Sequence, residues 1–329
     1  MKKVLFATTA LIATSGMAAA EVTFGGFGRF GLFYQENNDA TVGNSDTRIE
    51  QRFRLTATGT ATSDNGLEFE GRIRFQTDDQ ANGNSNIANR SAAGFAVSTG
   101  GFRLDVGHVS DVLDSGDVVN YYGYGVGLTS FAEQSSGFGL GAVPANDNVV
   151  NGFGTSADDS EILPTVKVRY IAGDLTLAAS ITNGTSAQTA TTATTLEEYQ
   201  VGVGYSFGNY SVGVAFGNQE QNATGAASVD NDFWAASFDG EIGAFAFSVL
   251  VADDDTAGRD TRYGFSVKYD VGAATEIRFA FADDGIDAND ETVAIGFRHA
   301  LGGGVSLQGG IGQNTGGNTV ADVGVIFNF

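Results

Sequence analysis

The sequence predicts an all-β fold, a 16-stranded antiparallel transmembrane β-barrel, and three observations carry that prediction. Segments in which apolar and polar residues alternate with a period of two recur along the chain. The connections between them are alternately long and short, as in hairpins with tight turns on one side of a membrane and loops on the other. The chain closes on a strand in which Val323, Val325, Phe327 and the terminal Phe329 share one face, and Asp322, Gly324 and Asn328 the other. An aromatic residue ending a strand calls for pairing on both edges, which a closed barrel provides and an open sheet does not.

At the other end, Lys2 and Lys3 precede an apolar run from Val4 to Ile12, and Ala18-Ala19-Ala20 offers a small-residue cleavage site before Glu21. Residues 1–20 are therefore expected to be a cleaved signal peptide and residues 21–329 the mature barrel. No stretch beyond the leader approaches the roughly 20 apolar residues that a membrane helix needs. Cysteine is absent, which excludes disulfides and thiolate metal sites, and 47 glycines against two prolines favour long unbroken ladders. A formal net charge of −22 argues against nucleic acid as a partner, because phosphate binding needs the opposite sign.

Sixteen segments follow in order: 22–35, 47–62, 66–77, 91–99, 102–109, 163–172, 174–183, 197–207, 209–219, 230–240, 242–252, 260–270, 273–283, 290–300, 303–313 and 320–329. Alternation is plain in Tyr199/Val201/Val203/Tyr205/Phe207, in Tyr263/Phe265/Val267/Tyr269 and in Ile277/Phe279/Phe281. The fourth segment has the least pattern. Gaps of 11, 13, 53, 13, 10, 7, 6 and 6 residues alternate with gaps of 1–3 residues. The short gaps carry Asp64-Asn65-Gly66, Gly173-Asp174, Gly208-Asn209, Gly240, Val271-Gly272 and Gly302-Gly303, residues suited to tight turns. Greek-key connections of a soluble sandwich would break this rhythm.

Glu21-Val22 opening the mature chain, Asn65-Gly66-Leu67-Glu68-Phe69, Tyr205-Ser206-Phe207-Gly208-Asn209-Tyr210 and the close Ala321-Asp322-Val323-Gly324-Val325 with its terminal Phe together resemble a Gram-negative general diffusion porin. The likeness is to the alphaproteobacterial type known from purple bacteria, and it covers the whole mature chain. It implies a homotrimer in the outer membrane, in contact with lipopolysaccharide, and a third outer loop folded into the lumen as a constriction. Small hydrophilic solutes and ions would cross by passive diffusion.

The 53-residue gap, 110–162, is the one connection long enough to be that loop. It carries Asp111, Asp114, Asp117, Glu133, Asp147, Asp158, Asp159 and Glu161 and no Lys or Arg. Basic residues lie elsewhere, opposite the apolar parity of their strands: Arg29; Arg48, Arg52 and Arg54; Arg72 and Arg74; Arg103; and, near the C-terminus, Arg278 and Arg298. A charge at the lipid midplane costs about 2–4 kcal/mol, so these arginines are expected to face the lumen. The expected constriction sets Arg29, Arg52, Arg54, Arg72, Arg74 and Arg103 against Asp111, Asp114, Asp117 and Glu133. Opposed charges across a narrow aqueous gap create a transverse field that favours dipolar solutes over apolar ones.

Plainer readings compete. The arginines would instead fill the lumen by pairing with Glu50, Glu68, Glu70 and Asp105, although sixteen strands leave more space than side chains fill. The acidic loop would be an ordinary solvated loop. The clusters Asp253-Asp254-Asp255, Asp283-Asp284 and Asp78-Asp79 are candidate Ca²⁺ ligands that would stiffen outer loops or bridge to lipopolysaccharide phosphates, yet no EF-hand spacing supports them. Tyr121, Tyr122 and Tyr124 would stack on sugars in a substrate-specific channel, but most other rings have lipid parity. Gly26-Phe27-Gly28-Arg29-Phe30-Gly31 fits a dinucleotide fingerprint in pattern only, since no helix follows it. His108 and His299 are the only histidines and form no hydrolytic constellation, so no enzyme is expected.

Overall fold

The structure, a computed structural model, describes residues 20–136, 164–189, 192–225 and 227–329. The expected leader up to residue 19 and residues 137–163 of the expected inner loop lie outside the described residues.

Alternating sequence becomes alternating exposure. The strands are β1 (Glu21–Gln35), β2 (Thr47–Thr62), β3 (Glu68–Asp78), β4 (Asn89–Arg90), β5 (Gly94–Thr99), β6 (Phe102–Gly107), β7 (Thr165–Ala172), β8 (Leu175–Thr189) and β9 (Thr192–Phe207). They continue with β10 (Tyr210–Ala223), β11 (Val229–Ile242), β12 (Phe245–Asp254), β13 (Arg262–Asp270), β14 (Thr275–Asp283), β15 (Thr292–Gly302), β16 (Val305–Gln313) and β17 (Thr319–Asn328). Every pairing is antiparallel, and β17 pairs with β1 as well as β16 (Phe30 opposite Val325, Leu307 opposite Val325), which closes the ring. β4 and β5 lie end to end against β3, so the 17 strands among the described residues occupy 16 positions. On β1, Phe24 is 67% exposed and Phe30 and Leu32 55% each, pointing outward, whereas Phe33 at 7% points inward.

Three expectations need correction. The fourth segment, 91–99, is interrupted at residues 91–93. Arg74 there receives the Ser91 N–H on its carbonyl at 2.8 Å and donates its own N–H to Ser91 Oγ at 3.0 Å, a side chain standing in for a ladder group. Gly240 is no turn residue: it lies within β11 opposite Tyr210 and Phe247, whose rings occupy the space a Cβ would need. The turn falls at Gly243, with φ 63°. The 13-residue gap expected at 184–196 is mostly ladder, Gly184 pairing with Leu196 and Ser186 with Thr194, because its threonine-rich sequence suits a strand. The long-short rhythm lapses at that hairpin.

After β6 the chain turns into the barrel. Val112, Leu113, Val118, Val119 and Tyr121 pack against Ala178, Ala215, Phe233, Ala235, Leu250, Ala252 and Ala282, an apolar core inside the ring. A second cluster joins Val126, Phe131 and Ala132 to Ala280 and Ala294. The wall under the loop is built of small residues for this reason. A Cβ on Gly213 would overlap the carbonyl oxygen of Val118, and one on Gly264 the carbonyl oxygen of Gln134.

Candidate channel constriction

Hydrogen bonds show which part of the wall the loop follows. The Val112 N–H donates to Ser180 Oγ on β8 at 3.3 Å, and the Leu113 N–H to Gln200 Oε1 on β9 at 2.9 Å. The Asn120 N–H donates to Ser237 Oγ on β11 at 2.9 Å, and the Tyr124 N–H to Ser266 Oγ on β13 at 3.0 Å. Arg278 on β14 donates to the Gly125 carbonyl at 3.0 Å, and the Leu128 and Thr129 N–H groups reach Asp322 on β17 at 2.8 Å each. Serines and amides supply the acceptors because they are short enough to sit beneath the chain. These bonds run along the arc from β8 to β17, and Asp117 extends the contact to Lys167 and Arg169 on β7.

The opposite arc carries the arginines. Register places Arg29 of β1 beside Arg52 of β2, and the inward rings Phe27 and Phe33 beside Arg54 and Arg48. Those rings act as shelves: the guanidinium carbon of Arg48 lies 3.9 Å from the Phe33 centroid, and that of Arg54 5.4 Å from the Phe27 centroid. Most of these cations are held by neighbours on the same wall. Arg29 pairs with Glu50 at 2.5 Å, Arg48 with Asp79 at 2.5 Å, and Arg52 with Asp78. Arg54 Nε donates to Gln76 Oε1 at 2.5 Å. Arg103 pairs with Asp105 at 2.9 Å and with Glu70 at 3.4 Å. Among the described residues Arg72 and Arg74 have no ion-pair partner, and Asp114 of the loop exerts the attraction felt by Arg74.

The four loop acids differ in use. Asp111 is 1% exposed, and its Oδ1 accepts the Asp114 N–H at 2.8 Å, so it supports a turn. Asp114 accepts the Tyr122 hydroxyl at 2.7 Å. Asp117 receives Lys167 Nζ at 2.6 Å and Arg169 Nη1 at 2.5 Å. Burial alone would raise the Asp117 pKa, but the hydrogen bonds and charges of Lys167 and Arg169 outweigh it and hold the carboxyl below its ordinary value. Glu133 begins a turn in which its N–H donates to Ser136 Oγ at 2.7 Å. Tyr121 is buried in the inner core, as an anchoring residue is, and Tyr124 lies half-buried with Lys268 Nζ 5.9 Å from its ring. Burial first, then the charges of Asp239 and Glu241, raise the Tyr124 phenol pKa and keep it neutral.

Lys167 and Arg169 were overlooked in the sequence, although they stand opposite Val166, Val168 and Tyr170 by the same parity that marks the other arginines. Asp322 is a second omission, and a lone carboxylate in a strand carries no sequence signal of its own. Among the described residues no three potential ligands converge on a metal position. Asp254 is occupied by Arg262 and by the Thr256 N–H (2.8 Å), and Asp284 by the Ile286 N–H (3.0 Å) and Asn289 (2.7 Å).

A family model described as Gram-negative porin matches residues 7–319. The chain belongs to that family. The porin is 28% identical over 315 residues to a porin of Fuscovulum blasticum, covering 94% of this chain and 100% of the relative. It is 27% identical over 333 residues to a porin of Rhodobacter capsulatus, with the same coverage. A solved mutant of the Rhodopseudomonas blastica porin superposes with a TM-score of 0.69 at 26% identity, over 94% of this chain and 100% of that one. The porin is therefore an outer-membrane channel of a Gram-negative bacterium through which solutes diffuse passively, and its fold is the 16-position barrel expected from the sequence.

Proposed function

We propose that solutes cross the porin between the inner loop and the arginine arc of β1–β3 and β6, and that this gap is its constriction. The observation that carries the reading is the division of the wall. The loop takes its acceptors from β8 to β17, while the lumen-facing cations Arg29, Arg52, Arg54, Arg72, Arg74 and Arg103 stand on the remaining strands. Carboxylates pair with three of these six cations, Arg29, Arg52 and Arg103, and offset part of the wall charge, so Arg72 and Arg74, the latter within reach of the Asp114 charge, dominate the local field. Small hydrophilic solutes with a dipole or negative charge are favoured at that point. Replacing both arginines by alanine should move the reversal potential under a salt gradient toward cations and raise the unit conductance, while Asp114→Asn should move it toward anions. Unchanged potentials in both variants would place these residues away from the path of the ions.

A homotrimer is part of the same proposal. β5 and β6 have 6 residues each, fewer than the roughly 9–11 that a transmembrane strand needs, and the backbone above β5 is irregular at 91–93. Irregular backbone facing lipid is unfavourable, so a neighbouring copy over this wall supports the assembly. Native mass measurement in detergent tests it, with a monomer as the result that overturns it.

A further inference from the structure

We infer that Asp322 is the clasp that fixes the described part of the inner loop at Leu128 and Thr129 and thereby holds the channel open at a defined width. The inference rests on the reading that this loop lines the channel. Asp322 lies on the inner face of β17, opposite Phe33 of β1 and Gly310 of β16, and is 5% exposed. Both carboxylate oxygens are used, and on consecutive loop residues. Oδ1 accepts the Leu128 N–H at 2.8 Å, and Oδ2 accepts the Thr129 N–H and the Thr129 hydroxyl, each at 2.8 Å. Hydrogen bonds to an ionised acceptor are about twice as strong as neutral ones.

The segment that Asp322 grips is a tight reversal. Gly127 has φ 95° and Ser130 φ 55°, and the chain returns so that the Val126 N–H meets the Ala132 carbonyl at 2.8 Å. Other contacts at this end include the Arg278 bond to the Gly125 carbonyl and the packing of Val126 over Gly296 and Gly310 and of Leu128 over Gly31 and Gly324. Packing of that kind permits sliding, whereas three directed bonds to one carboxylate do not. Asp322 stands opposite Phe33 of β1, and Leu128 lies against Gly31 of the same strand, so the clasp sits where the loop meets the arginine arc. Displacement of Leu128 and Thr129 would change the gap itself. Asp322 is thus a positioning residue that acts on solutes through the loop.

Planar-bilayer recordings of the full porin with Asp322→Ala and Asp322→Asn test this, after heat-modified gel mobility has shown that each barrel is folded. With alanine the ratio of held to displaced loop should fall about tenfold, equivalent to about 1.4 kcal/mol. Unit conductance should then scatter and closure set in at lower voltage, with asparagine, which keeps one acceptor oxygen, between alanine and wild type. The chain has no cysteine, so Asp322→Cys with Thr129→Cys introduces the only thiols. Oxidation of that pair should restore the wild-type closing voltage and reduction should abolish it, which a purely stabilising role would not do. Folded Asp322→Ala with wild-type conductance and closing voltage overturns the inference, as does an oxidised pair that restores neither. If the alanine barrel does not fold, Thr129→Val removes one of the three bonds from the loop side and should give a smaller shift in the same direction, an unshifted closing voltage counting against the clasp. Arg74→Ala is recorded in parallel. If it leaves conductance and reversal potential unchanged, the lining reading itself fails; if it responds and the Asp322 variants do not, only the clasp fails.

Discussion

Parity fixes where a charged side chain points, but its neighbours fix what that charge is worth. Arg72 and Arg103 both stand on inward parity, yet Arg103 is held between Asp105 and Glu70 while Arg72 has no ion-pair partner among the described residues. Asp114 and Asp117 are three residues apart, and only Asp117 meets two cations. Because its folded-state pKa is depressed, the Asp117 clasp contributes fully above the ordinary carboxylate pKa of about 3.9 and is lost only as pH falls through the lower folded value. Unit conductance of the wild type attributable to this contact should hold steady at mild acidity and change below about pH 4. Asp117→Asn should show the altered conductance at every pH, with about 1–3 kcal/mol less hold on the loop, the usual cost of leaving a partly buried partner unsatisfied. A variant that titrates like the wild type would rule this contact out as the cause.

Elements were legible to different degrees. β9 to β14 follow from alternation because each carries a run of apolar residues on its outward face, as in Tyr263, Phe265, Val267 and Tyr269 on β13. β4 and β5 were not, since Ser91-Ala92-Ala93 breaks the ladder with small residues that carry no parity. Nor was Gly240, whose glycine makes room for two rings and marks no turn. Inward glycines on β9, β10 and β13 look like weak strand residues in sequence; in the barrel they are the floor on which the loop rests. Gly213→Val should therefore leave the outward face intact but push the loop off the wall, costing about 1–3 kcal/mol as overpacking does. Thermal melting followed by circular dichroism, together with a narrowed conductance, would register it. Wild-type values for both would mean that the loop does not press on β10.

For the whole porin, two electrostatic influences act at different distances. The formal charge of −22 is spread over the molecule, while in the proposed constriction Arg72, Arg74 and Asp114 act at the gap. The Debye length is about 10 Å at 0.1 M salt and about 3 Å at 1 M, so the distributed charge is screened first. Cation preference measured at low salt should decline at high salt, leaving the preference set at the gap. A permeability ratio independent of salt would assign selectivity wholly to the constriction.

From the sequence alone came the closed antiparallel barrel, its strand number, the inward parity of the arginines and the one connection long enough to be an inserted loop, because each rests on a period of two or on the length of one gap. Only the tertiary structure decided which arc the described loop follows, that Lys167 and Arg169 occupy Asp117, that Asp111 is buried, and that Asp322 meets Leu128 and Thr129 of the loop. Those facts depend on contacts between residues 50 to almost 200 positions apart, such as Lys167 with Asp117 and Leu128 with Asp322, and local periodicity carries no record of them.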